Sequence, residues 1–262
     1  MTINLNDEIG LGNTLKSVKI QDYKNFEHIT IDGASSDGSV DVWRICCSSD
    51  SRFSITSEPD NGIYDAMNTG VTMVAGDLIL ILNAGDTLVN EKVFTNVAKS
   101  WIQDPDWSWG YGKLNFYSPQ GIQDLNIKTP TYNFSSFRWG NSYVPHPSSF
   151  VSKNLFDKYG NFDPIFGIAA DQEFFMRIAK DFSPKILNFS TSNFILGGAH
   201  SSFSPWHRER MWHLMRRKNK LLLLNSVVLD RFFAELLILW RSFLALYRRI
   251  REIQLVGPKE QK

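Results

Sequence analysis

Apolar residues recur in two registers along the first hundred positions, and the registers alternate. His28–Asp32 (HITID) and Phe53–Glu58 are short segments of strand length. Ser39–Cys46 follows a Ser-rich turn and reads as a helix. Ile63–Val74 carries Ile63, Ala66, Met67, Val71 and Val74 at helical spacing. Asp77–Asn83 (DLILILN) is a continuous apolar run bounded by polar residues, the pattern of a strand buried on both faces of a parallel sheet. Strand, helix, strand, helix, strand predicts an open α/β sheet with its ligand crevice at the strand C-termini. A helix over about Gly12–Ile20 needs a strand before it, and only Thr2–Leu5 offers one. Central strands usually run about five or six residues, so the expectation is a first strand cut short.

The second half is less periodic. Trp107–Leu114 reads as another strand, residues 118–141 as loop, and 163–180 as a loop that becomes a helix over Asp171–Ala179. After Trp206 the composition shifts, and Arg208–Arg251 mixes Arg, Lys, Leu, Phe and Trp with helical periodicity. The expected division is therefore residues 1–205 as the α/β domain and 206–262 as a basic amphipathic helical region. Two readings of the latter stay open. It is an interfacial helix on an anionic membrane surface, or an ordinary amphipathic helix covering the sheet. No apolar stretch reaches the roughly 18 to 20 residues that span a bilayer. The runs near Leu221–Leu229 and Phe232–Trp240 are interrupted by Asp230, Arg231 and Glu235.

Composition narrows the function classes. With 43% hydrophobic and 21% charged residues the chain is ordinary globular material. A net charge of +1 provides no global basic field for nucleic acid, so no nucleic-acid partner is expected. Eight Trp and nineteen Phe belong by default to the core. The two cysteines, Cys46 and Cys47, are adjacent, which makes a mutual disulfide strained. They are expected to pack in a helix in a reducing cytoplasm. No basic segment followed by an apolar run marks a signal peptide, and the expected location is cytoplasmic, peripheral on the inner face of the cytoplasmic membrane.

The acids at strand ends are the candidate chemistry. Asp32 ends HITID before Gly33-Ala34-Ser35-Ser36-Asp37-Gly38, and is read as a ligand contact, with Asp37 capping the following helix. Asp86, in Asn83-Ala84-Gly85-Asp86, stands just past DLILILN, where an acid faces the crevice. It suits a metal carboxylate or a cap of the next helix equally well. In Ser57–Asn68 (SEPDNGIYDAMN), the helix dipole accounts for Asp60, whereas Tyr64, Asp65 and Asn68 share a face it does not explain. In GIAADQEFFMR, Asp171 is placed to cap a helix, and Glu173 points elsewhere. His146 and His200 are more readily structural than ligating.

Together, IDGASSDGSVD, SEPDNGIYDAMNTGVTMVAGD and LILNAGD resemble family 2 glycosyltransferases, and within them bacterial enzymes of the exopolysaccharide and colanic acid type. The resemblance implies a GT-A fold, a mostly parallel sheet flanked by helices. It also implies a nucleoside-diphosphate sugar donor, a glycan or lipid-linked acceptor, inversion at the anomeric carbon, and Mg2+ or Mn2+. It assigns Asp32, Asp60 and Asp65 to the nucleotide, with Asn6 and Gly85 beside them, Asp86 to the metal and Asp171 to the catalytic base. Many relatives have Asp-x-Asp at the metal motif, whereas here Ala84 fills the first position. That departure, with the short first strand, leaves a second reading: an impaired nucleotide-sugar-binding or assembly protein. A nucleotidyltransferase is disfavoured, since no Gly-rich phosphate loop opens the chain.

Overall fold

A computed structural model describes residues 1–196 and 204–255. The first half follows the expected alternation: β1 (Thr2–Asn4), α1 (Glu8–Lys19), β2 (His28–Asp32), α2 (Ser39–Cys47), β3 (Phe53–Ser57) and α3 (Ile63–Met73). α1 starts earlier than its apolar spacing indicated because Asp7 caps it, accepting from Gly10 N at 2.9 Å. Leu11, Leu15 and Val18 then face the sheet. All five residues of β2 are buried, as a central strand requires.

The run DLILILN divides at Ile81 into β4 (Leu78–Leu80) and β5 (Leu82–Asn83). β5 pairs in parallel with β1, in a sheet ordered β3-β2-β1-β5. β4 pairs antiparallel with β8 (Ser149–Ser152), in a second sheet. That sheet is ordered β4-β8-β7-β9-β6, with β6 (Thr87–Leu88), β7 (Trp109–Tyr117) and β9 (Lys185–Ile195). One apolar segment thus hinges the two sheets together. β1 is indeed short, at three residues, yet it lies between β2 and β5.

Helices cover both faces. α1 and α4 (Val93–Gln103) pack with Leu80, Leu82, Trp107 and Phe150 on one side. On the other, α3 and α7 (Ala170–Ala179) enclose Ile31, Ile79, Trp109 and Phe175. Short α5 (Phe134–Arg138) interrupts the loop expected over 118–141, and α6 (Lys153–Tyr159) follows β8. Most tryptophans are core, but Trp206 and Trp240 are exposed. Cys47 is buried in α2, Cys46 is half-buried, and both are free.

After the sheet come α8 (Pro205–Lys218) and the long α9 (Val227–Leu255). Glu173, fully buried, ties α7 to α8 through Lys218 Nζ at 3.2 Å and Asn219 Nδ2 at 2.9 Å. Asp230 anchors α9. Its carboxylate meets His213 Nδ1 at 2.7 Å and accepts from Arg216 Nε at 3.1 Å and Leu223 N at 3.0 Å. Arg216 is also buried, stacks on Trp139 at 4.3 Å and pairs with Glu209 at 2.7 Å. Every charge in this cluster has a partner, which is the condition for tolerating burial.

Candidate active site

The C-terminal ends of β1, β2 and β3 meet at Asp32. This carboxylate is fully buried and accepts four hydrogen bonds. The donors are Asn4 Nδ2 at 2.7 Å, Ser35 N at 2.9 Å, Ser35 Oγ at 2.6 Å and Ser57 Oγ at 2.6 Å. Burial alone would raise its pKa, but these donors together hold it below the usual carboxylate value. Asp32 therefore knots three strand ends together. Asn6, with φ 51°, holds the loop after β2 by accepting from Ser36 N at 2.8 Å. Asp60 lies against the same loop. A side chain on Gly33 would meet its Oδ2 at 2.6 Å, so only glycine leaves room for it. Asp37 accepts from Ser39 N and Glu8 N, both at 3.0 Å, and serves the starts of α2 and α1.

Asp65 does not turn toward this corner. Its Oδ2 accepts from Asn61 N at 2.9 Å and closes the turn into α3. Tyr64 and Asn68, the other residues of that face, reach across the fold. Asn68 exchanges two hydrogen bonds with the Phe162 backbone at 2.9 and 3.0 Å. The Tyr64 hydroxyl lies 3.0 Å from Ile168 O and 3.2 Å from Asp171 Oδ1.

Asp86 is buried and has far less support than Asp32. Its Oδ2 accepts a 3.3 Å bond from Asn83 N, and burial pushes the carboxyl up to about 8. It caps no helix, since α4 begins after Lys92. Thr14 Oγ1 fixes the turn by donating to Asp86 O at 2.7 Å. Gly85 takes φ 94°, and the Asp7 carboxylate approaches it from α1, 3.7 Å from where a Cβ would stand. Asn83 Oδ1 is buried without a hydrogen-bond partner. A buried carboxylate short of donors beside an orphaned amide oxygen suits a hard, oxygen-seeking cation. Among the described residues no three His, Cys, Asp or Glu cluster. The donor set fits an ion that takes one carboxylate and fills its remaining positions with phosphate or water.

Asn83 also borders a cavity of about 690 Å³, whose far wall carries Asp171. Asp171 is the second residue of α7, after an Ala169 cap that offers no side chain. The turn before it needs Gly167 at φ 51°. Gln172 orients the carboxylate, donating N to Oδ1 at 2.7 Å and Nε2 to Oδ2 at 2.9 Å. His146 borders the same cavity, 6.1 Å from the Phe162 ring. Elsewhere the walls are largely apolar and include Met67, Phe116, Phe194 and Trp212. Glu173 faces away, into its pairs with Arg177 and Lys218. His200 lies outside the described residues. Asp7 and the Tyr64–Asp171 contact had no signal in the sequence pattern, because each depends on a partner distant along the chain.

The family model for glycosyl transferase family 2 matches residues 2–160. An uncharacterized glycosyltransferase of Mycobacterium tuberculosis is 35% identical over 209 residues, covering 78% of this chain and 77% of that protein. A PGL/p-HBAD biosynthesis glycosyltransferase of Mycobacterium bovis is 27% identical over 174 residues, 62% of each chain. Among solved structures, S. aureus TarS 1-349 in complex with UDP-GlcNAc superposes with a TM-score of 0.63 at 14% identity, over 83% of this chain and 64% of that one. Mannosyltransferase PcManGT from Pyrobaculum calidifontis, in complex with GDP-Man and Mn2+, gives 0.59 at 16% identity, over 96% and 81%.

Proposed function

The chain belongs to glycosyl transferase family 2, and from that membership and the site we infer an inverting transfer of a sugar from a nucleoside-diphosphate sugar to a glycan or lipid-linked acceptor. It is a glycosyltransferase with the GT-A fold. The observation that carries the finer reading is Asp171, oriented by Gln172 in a cavity that Asn83 also borders.

The nucleotide end is assigned to Asn6, Asp32, Asp60, Asp65 and Gly85. Asp32 acts there through the turn it holds, since both its oxygens are already engaged, and Asp65 holds its own turn through Oδ2. Asp86, with Asn83 beside it, would hold Mg2+ or Mn2+, which supplies positive charge to the diphosphate leaving group. Structural neighbours crystallised with UDP-GlcNAc, or with GDP-Man and Mn2+, support a donor and a metal of these classes. Asp171 takes the proton of the acceptor hydroxyl as its oxygen bonds to the anomeric carbon. The bond from that carbon to the diphosphate breaks, and the nucleoside diphosphate leaves on the opposite face. We place this chemistry in residues 1–205, in the cytoplasm at the inner face of the cytoplasmic membrane, with 206–262 as the peripheral region.

Nucleotide release in the presence of Mn2+ tests this. Asp171→Asn is expected to lower kcat about 1,000-fold, with donor KM and Tm unchanged. Undiminished turnover would remove Asp171 from the mechanism. A product that keeps the donor's anomeric configuration, read by NMR, would rule out inversion.

A further inference from the structure

α9 is packed the opposite way round from an ordinary surface helix, which buries its apolar stripe and exposes polar residues. Its docked stripe is Asp230, Ala234, Ile238 and Arg241. Asp230 sits in the buried ion cluster, and Arg241 donates to Trp139 O at 2.8 Å. Facing away are Val228, Phe232, Leu236, Leu239, Trp240 and Phe243, between 46% and 75% exposed. At 100° per residue these six span an arc of about 120°, roughly opposite the docked stripe. A contiguous apolar arc of this kind marks a partner surface.

Charge identifies the partner. Residues 206–262 hold 13 of the 28 Lys and Arg and 5 of the 27 Asp and Glu, a net +8, which leaves −7 on residues 1–205. A second copy meeting α9 across a two-fold axis would set like charge against like charge. An anionic bilayer brings the opposite sign. No helix among the described residues is long and apolar enough to cross a membrane. The geometry that remains is a helix lying along the interface.

We infer that the outward face of α9 docks on an anionic phospholipid bilayer, with Phe232, Trp240 and Phe243 among the acyl chains. Arg208 and Trp212 of α8 border both the Asp171 cavity and a second groove closed by Ile238 and Arg241 of α9. The cavity and the docked helix share one wall.

The test is flotation of the full chain with vesicles of POPC or of equal parts POPC and POPG. The wild type is expected to float with the anionic vesicles and to lose about tenfold in partitioning at high salt. Phe232→Ser, Trp240→Ser and Phe243→Ser combined should lower partitioning about 100-fold. All three side chains are exposed, so Tm should stay unchanged. Equal flotation of the triple variant would overturn the proposal. So would a wild-type dimer, seen by analytical ultracentrifugation, that the triple variant splits while neither floats. That result assigns the face to a second copy. Nucleotide release in vesicle-free buffer, read in parallel, should match between wild type and triple variant. Failure of the transferase reading appears instead as release that does not depend on Asp171, whatever the vesicles show.

Discussion

Asp32 and Asp86 stand at the ends of strands that flank β1 on its two sides, and both are almost completely buried, at 0% and 4% exposure. In every other respect they differ. Asp32 has four donors within 2.9 Å and is held below the ordinary carboxylate range. Asp86 has one long bond and is pushed up to about 8. Burial is therefore not what separates these two acids. The number of donors around the charged form is. The first corner is finished by the protein's own groups, and the second lacks positive charge.

The strongest way to break this contrast is Asp32→Ala. It strands Asn4, Ser35 and Ser57 donors in a closed corner, and is expected to cost about 4 kcal/mol in denaturant unfolding. A loss below about 1 kcal/mol would mean the knot is dispensable. Because the folded carboxyl titrates below its unfolded value, its contribution is complete above the unfolded value near 4 and disappears as pH falls through the folded one.

Asp86→Asn should act in the other direction. Between about pH 4 and 8 the metal-free native protein keeps a proton on Asp86 that the unfolded chain releases, so stability from this site falls as pH rises through that window. The substitution is expected to stabilise the metal-free protein by about 2 kcal/mol at pH 9 and to change little at pH 5. It should also abolish the thermal shift that Mn2+ gives the wild type. An Mn2+ shift of wild-type size in the variant would move the metal elsewhere. The finest probe is Ser57→Ala, which removes one of four donors from Asp32 and should cost about 1 kcal/mol in the same unfolding measurement.

Much of the fold was legible because β2, α3 and the run ending at Asn83 follow clean hydrophobic periods. β9 was not, since its buried positions include Thr191 and Ser192 beside Leu187 and no apolar alternation survives. β8 is only four residues long and follows a Pro-rich turn. In the site, motif order singles out Asp32, Asp86 and Asp171 as candidates. The Tyr64–Asp171 contact spans 107 residues and leaves no local trace. Asp230 was read as an interruption of an apolar run. It is instead fully buried, because its partners lie on α8.

Glu173 gives α7 a mechanical role. Asp171 and Glu173 are two residues apart on one rigid rod, the first facing the cavity and the second bolted to Lys218 and Asn219 of α8. The same helix therefore lines the cavity and anchors α8. About half a helical turn separates the carboxylate that faces the cavity from the one fixed to the end of α8.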